Sequence, residues 1–358
     1  MKRVALFFKR KWGQKIRLML QRRSLRRLSF NTETGNDQKS GLPPEGTSWH
    51  KNSMISESAK DTISVVITCY DEGAILRCAF ESLAAQSDQD FEVVVVNDAS
   101  PDSVTNAICR EVEQEHKARV AWRTQRGGPA AAKNHGAHEA LGSIIVPLDA
   151  DDTLPSATIA LVRRAFREAP TAAFVFGNYV KRDLQTGTES LVDCSVLCGP
   201  HHFLEPTKFL ERWILLGTSP CRRSAWLEIG GHPEVLSYGL HDVGFFMSLL
   251  ANGHRGYYVA ETIYEWNKSP TGVNSCALED RNFRLILNNL KFFDKYGDGL
   301  AIRNRLFHEA MRFGDFGIAK RLAKEVLSTD FIAASVICAA LLPERVTRFL
   351  YRLKSSRL

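Results

Sequence analysis

No stretch of the 358 residues holds the run of about 20 apolar positions that a bilayer-crossing helix needs. Val4–Phe8 is too short for the apolar core of a secretory signal. Phe331–Leu342 is longer but still falls short, and it reads as a packed helix. The first strand-like segment is not followed by the Gly-x-Gly-x-x-Gly turn of dinucleotide-binding dehydrogenases; Cys69-Tyr70-Asp71-Glu72-Gly73 stands there. A P-loop is absent as well. The basic, Gly-rich loop that a nucleotidyltransferase needs after its first strand is missing, since Gly127-Gly128 comes after the third. Among the eight cysteines only Cys194 and Cys198 lie close together, and no second pair or histidine cluster completes a zinc site. The expectation is free, mostly buried thiols in a cytoplasmic protein.

The body of the chain also lacks positive charge. Of the net +7, residues 1–30 carry +11 and residues 344–358 carry +4, which leaves −8 for residues 31–343. A nucleic-acid-binding domain would carry a basic face on the folded body, so nucleic acid is not an expected partner. Residues 1–30 alternate basic residues with Val4, Phe8, Trp12, Ile16, Met19 and Leu20. Two readings stay open: a basic amphipathic helix held on the anionic inner face of a membrane, or a disordered basic tail. Residues 31–60 are polar and aperiodic and read as a linker.

A regular pattern begins at Ile63. Strands are expected at 63–68, 91–96, 119–122 and 144–148, and helices at 74–85, 104–115 and 130–140. Such alternation predicts an α/β domain whose mostly parallel sheet is flanked by helices. Further on, the pattern predicts strands at 174–180 and 257–260 and helices at 206–216 and 241–252. From Leu278 onward it is helical, as a C-terminal extension. The expected organisation is residues 1–30, linker 31–60, a domain over 61–275 divided near 152, and a helical extension over 276–358.

In parallel α/β sheets ligands bind beyond the carboxyl ends of the strands. The loops at those ends hold Asp71, then Asn97-Asp98-Ala99-Ser100, then Asp149-Ala150-Asp151-Asp152. Three carboxylates at the end of one buried strand repel each other unless a cation intervenes. Oxygen ligands of this kind favour Mg²⁺ or Mn²⁺, which can bridge a diphosphate. The bland alternative is an Asp-rich turn in which Asp152 or Thr153 caps the next helix. Asp98 could accept from a nucleobase N–H or simply make turn hydrogen bonds. Lys133 could reach phosphate or hold the acids in place. His201 and His202 lie where an acceptor loop could run, and Trp266, Asn267 and Lys268 could border the site.

Four blocks in order (Val65–Asp71, Val95–Ser100, Lys133–Gly136 and Asp149–Asp152) resemble glycosyltransferase family 2. The resemblance spans about Ile63 to Trp266. It implies the GT-A fold of the nucleotide-diphospho-sugar transferase type and transfer of a sugar, with inversion, from a nucleotide-sugar donor to a glycan or lipid-linked acceptor. UDP-sugars are the favoured donors. It further implies that Thr68, Tyr70, Asp71, Asp98, Lys133, Asp149 and Ala150 bind the nucleotide sugar. Asp149 and Asp151 would hold the divalent metal, Mn²⁺ or Mg²⁺. The acceptor region resembles the family at Cys221–Gly231 and Tyr238–Asp242, which makes Asp242 the expected general base. Two departures stand out: His241 where relatives carry Glu, and His232-Pro233 where they often carry Phe-Asp. The alternative these departures leave open is an inactive relative that binds nucleotide or glycan as an assembly factor.

Overall fold

The computed structural model describes residues 61–268 and 280–326. The expected basic segment, the linker and the chain beyond 326 lie outside the described residues. Strand β1 (Ile63–Cys69) is buried along its whole length, between β2 (Phe91–Asn97) and β4 (Ile144–Asp149), and runs parallel to both. Its β-branched residues suit a central strand covered on both faces. Each such side chain withdrawn from water contributes about 1.5–3 kcal/mol. Between β1 and β2 lies α1 (Leu76–Ala84), which buries Leu76, Ala79 and Leu83 at helical spacing. Helix α2 (Ser103–Gln114) starts at Asp102, whose carboxylate accepts from the Thr105 amide at 2.7 Å. Edge strand β3 (Arg119–Trp122) follows.

Helix α3 (Gly128–Glu139) is built from small residues, and the reason is packing. A methyl group at Gly136 would strike the Val66 side chain, so the helix lies directly on the sheet. After β4 come α4 (Thr158–Glu168), β5 (Phe174–Asp183), β6 (Glu189–Val192), α5 (Pro206–Glu211), β7 (Cys221–Arg222), α6 (Arg223–Glu228), α7 (His241–Ala251) and β8 (Gly256–Lys268). The sheet order is β3-β2-β1-β4-β7-β5-β6, with β8 beside β5. Its first half is parallel as expected; β7 and β6 pair antiparallel and make the whole sheet mixed. Four helices, α8 (Arg281–Asn288), α9 (Leu290–Tyr296), α10 (Gly299–Phe313) and α11 (Phe316–Val326), form the expected helical C-terminal region. Phe292 and Tyr296 of α9 dock near α7, where the Tyr296 hydroxyl donates to the Leu250 carbonyl at 3.1 Å.

Two elements differ from the sequence expectation. The helix expected over 206–216 ends at Glu211, and Arg212 is already extended. The chain must leave the helix there to bring Pro220 to β5, where its carbonyl accepts from the Val175 amide at 2.8 Å. The short strand expected at 257–260 continues to Lys268, because it pairs with all of β5 across irregular steps at Gly177, Asn178 and Tyr179. Of the described cysteines, Cys69, Cys109, Cys194 and Cys221 are buried, Cys198 is half-buried and Cys78 is exposed, all with free thiols. No helix among the described residues is long and apolar enough to cross a membrane.

Candidate active site

The adjacent carboxyl ends of β1, β2 and β4 place Thr68, Tyr70, Asp98 and the Asp149–Asp152 turn along one rim. Asp149 is held by two neighbours: Lys133 Nζ donates to its Oδ1 at 2.5 Å, and the Thr68 hydroxyl donates to the same oxygen at 3.3 Å. Lys133 arrives from the first turns of α3, and its side chain is 3 % exposed, against 35 % for Asp149. Burial pushes the Asp149 carboxyl up, but the charge and hydrogen bond of Lys133 outweigh it and hold it below its ordinary value.

The three acids of the turn have three different fates. Asp152 is sealed inside. Its oxygens accept from the Tyr264 hydroxyl and the Asn267 amide, each at 2.7 Å. Neither it nor Thr153 caps α4: Thr153 donates to Glu265 at 2.6 Å, and α4 starts without a side-chain cap. Burial, then Asp151 and Asp149, push Asp152 well above the ordinary range. Asp151 stands between. Its backbone carbonyl accepts from Asn267 Nδ2 at 2.8 Å, while burial and then Asp149 push its carboxyl up to about 6. An acid so poorly compensated in its protein surroundings would be relieved by a cation, and its chemistry suits Mg²⁺ or Mn²⁺. Among the described residues, no cluster of three or more His, Cys, Asp or Glu side chains is arranged to hold a metal. A metal here would therefore have Asp149 and Asp151 as its protein ligands and would need other oxygens from ligand or water.

Asp98 is occupied by the segment that leads from β3 into α3. Its carboxylate is 5 % exposed and accepts from the Gly127 and Gly128 amides at 2.9 and 2.7 Å, with Arg123 Nε at 3.1 Å. It thus fixes the start of α3, and Arg123 is a partner that the sequence did not single out. Gly128 has φ +81°, and a side chain there would meet Ser237 Oγ at 2.7 Å. Tyr70 is half-buried under the Arg126 guanidinium, 3.7 Å from its ring centre, and Asp71 is exposed. Ala150 is buried, and its amide donates to the Thr68 carbonyl at 3.3 Å.

Asp242 is in the first turn of α7, preceded by Leu240 in the left-handed region at φ 65°. Gly217 makes room for it: a Cβ at 217 would fall 2.8 Å from the Asp242 Cβ. His241 lies close enough to Lys133 and Asp149 to feel both charges, which puts the start of α7 near the acids at the end of β4. Burial and then Lys133 push the His241 imidazole down to about 4, so it is neutral at pH 7. Asn134 ties the same two regions together. Its Oδ1 accepts from the His232 amide at 2.7 Å and from Trp226 Nε1 at 3.2 Å, and its Nδ2 donates to the His232 carbonyl at 2.9 Å. Not every sequence candidate joins the site. His202 packs on Tyr257 and Tyr258 at the start of β8, whereas the site uses Tyr264 and Asn267 near its end. Trp266 lies under Lys181, and Lys268 pairs with Asp183.

Residues 64–223 match the sequence pattern of glycosyl transferase family 2. The chain carries a family 2 glycosyltransferase domain. Among curated relatives it is 32 % identical over 127 residues to Glycosyltransferase GlyG of Streptococcus pneumoniae, covering 36 % of this chain and 42 % of that protein. It is 21 % identical over 318 residues to Uncharacterized glycosyltransferase YibD of Escherichia coli, covering 81 % and 88 %. It thus spans less than half of the GlyG length. The domain shares its GT-A fold with S. aureus TarS 1-349. The structure of that protein in complex with UDP-GlcNAc aligns with a TM-score of 0.58 at 17 % identity, over 81 % of this chain and 89 % of that one. The UDP complex gives 0.52, over 82 % and 87 %.

Proposed function

We propose that this glycosyltransferase domain transfers a sugar from a UDP-sugar, with inversion, to a glycan or lipid-linked acceptor. The observation that carries the reading is the asymmetric acid pair: Asp149 is held ionised by Lys133 while Asp151, without such a partner, is pushed up to about 6. The similarity in fold to a protein crystallised with UDP and UDP-GlcNAc supports the choice of donor. Thr68, Tyr70, Asp71, Asp98 and Ala150 line the nucleotide side, Asp98 by fixing the Gly127-Gly128 loop. Bound at Asp149 and Asp151, a divalent ion would supply Lewis-acid stabilisation to the departing diphosphate. Lys133 adds fixed positive charge beside Asp149. Asp242, at the start of α7, takes the proton of the acceptor hydroxyl as that oxygen attacks the anomeric carbon and the sugar–phosphate bond breaks. The domain limits 61–275 and the extension 276–358 form part of this proposal, as does peripheral attachment through residues 1–30 to an anionic membrane where lipid-linked acceptors reside.

The test is thermal shift against nucleoside diphosphates with Mn²⁺ or with EDTA, on the wild type and on Asp151→Ala. Ligands that bind only the native state raise its melting temperature by mass action. The reading expects a Mn²⁺-dependent shift with UDP that Asp151→Ala loses. A well-folded wild type that responds to no nucleotide overturns it.

A further inference from the structure

The two places where the chain departs from the family pattern, His232 and His241, touch each other. Their Nδ1 atoms are 3.1 Å apart, and His232 Nδ1 also lies 3.3 Å from the His241 carbonyl oxygen. A carbonyl only accepts, so the proton in this cluster sits on His232 Nδ1 and is shared between the carbonyl and His241 Nδ1. The far side of the ring agrees. His232 Nε2 is sealed with no partner, which a bare lone pair tolerates better than an N–H would. The His232 ring cannot turn to exchange these roles. It is stacked on Phe245 with centroids 4.1 Å apart, Trp226 meets it edge-on at 4.8 Å, and Asn134 grips its backbone on both sides. A phenylalanine would fill the same slot without an unpartnered nitrogen, so the histidine is explained by what its Nδ1 does.

With Nδ1 of His241 accepting, its proton is on Nε2. Among the described residues Nε2 meets no protein partner, and it is not one of the sealed atoms. We infer that His232 is a positioning residue that fixes His241 as the Nε2–H tautomer, so that His241 offers a neutral hydrogen-bond donor to the diphosphate of the nucleotide. The inference rests on the nucleotide-sugar reading above. It reverses the sense of the position: a glutamate there accepts hydrogen bonds and repels an anion, whereas this histidine donates. It also removes His241 as a general base, because its proton-free nitrogen is already engaged by His232, and it leaves that role to Asp242.

The test uses the full chain labelled with ¹⁵N-histidine. Two-bond ¹H–¹⁵N spectra report which ring nitrogen carries the proton, and His232→Phe and His241→Gln assign the two signals. The expected spectrum shows His232 protonated on Nδ1 and His241 on Nε2, with the His241 signal moving when UDP and Mg²⁺ are added. Titration calorimetry with UDP should show His241→Glu binding about tenfold or more weakly, while His241→Gln, which keeps an N–H, stays near wild type. A His232 signal protonated on Nε2, or a His241→Glu variant that binds UDP like the wild type, overturns the inference while leaving the transferase reading standing. A wild type that binds no nucleoside diphosphate overturns both.

Discussion

Lys133 Nζ lies 2.5 Å from Asp149 Oδ1, and the lysine is buried while the aspartate keeps one edge open to the cleft. The pair places the positive charge under the acid, on the protein side, and leaves the other face of the carboxylate for a ligand. Removing one partner of a buried pair leaves an uncompensated charge, a cost of several kcal/mol when both are sealed. Partial exposure of Asp149 lowers that figure. Lys133→Met is therefore expected to destabilise the domain by about 2 kcal/mol and to abolish UDP binding. Urea denaturation and calorimetry check the two halves of this expectation separately.

Asn134 is expected to act chiefly on stability. Its side chain makes four hydrogen bonds, which join α3 to Trp226 of α6 and to His232 and Glu234 ahead of α7, and none of them is to a proposed ligand-binding atom. Asn134→Ala leaves the His232 amide and Trp226 Nε1 without acceptors inside the protein. At about 1 kcal/mol for each of the three shorter bonds, with the exposed 3.4 Å contact to Glu234 adding little, the loss is about 3 kcal/mol. The midpoint of urea unfolding should fall, and any loss of UDP affinity should stay smaller than that of His241→Glu, because the stacking of the His232 ring on Phe245 remains.

The first half of the fold was legible because its signals are local. Buried parallel strands read as continuous β-branched runs, and Ile63–Cys69, Phe91–Asn97 and Ile144–Asp149 all do so. Thr68 and Asp149 followed from the rule that ligands gather at strand ends, and Lys133 was expected to reach phosphate or hold the acids, the second of which its bond to Asp149 does. Tyr264 and Arg123 were not legible, and Asn267 was expected at the border of the site but not as the partner of Asp151 and Asp152. The long strand β8 breaks its alternation opposite Gly177 and Asn178, and a register shift hides period-two patterning. Asp152 looked like a helix cap because its true partners, Tyr264 and Asn267, lie more than 100 positions away in the chain. The contact between His232 and His241 likewise depends on the left-handed turn at Leu240, which no propensity foretells.

Gly217 gives a prediction about turnover. A Cβ at this position would sit 2.8 Å from that of Asp242, closer than two such atoms approach, so one of the two residues must shift. Gly217→Ala is expected to tilt the Asp242 carboxylate away from the acceptor. Misplacing a catalytic group by about 1 Å costs on the order of 100-fold in rate. Transfer with a UDP-sugar should slow by that order while the affinity for UDP stays unchanged. A fall in UDP affinity equal to the fall in rate would instead show that residue 217 shapes the donor site.

Glu72 sets a pH dependence. Burial, reinforced by Asp151 and Asp71, pushes its carboxyl up to about 7, although the Tyr70 amide donates to it at 2.6 Å. An acid whose folded value lies above its unfolded value binds its proton more tightly in the folded state. Its contribution is whole below the unfolded value near 4.3 and is lost as pH rises toward 7. Glu72→Gln keeps an oxygen for the Tyr70 amide and removes the ionisation. Without metal, the variant and the wild type should melt together near pH 4.5. By pH 8 the variant should be the more stable, by at most about 4 kcal/mol and by less where solvent screens the partly exposed group. Melting curves in EDTA at a series of pH values decide it, and parallel profiles for the two proteins would show that Glu72 is already compensated by solvent.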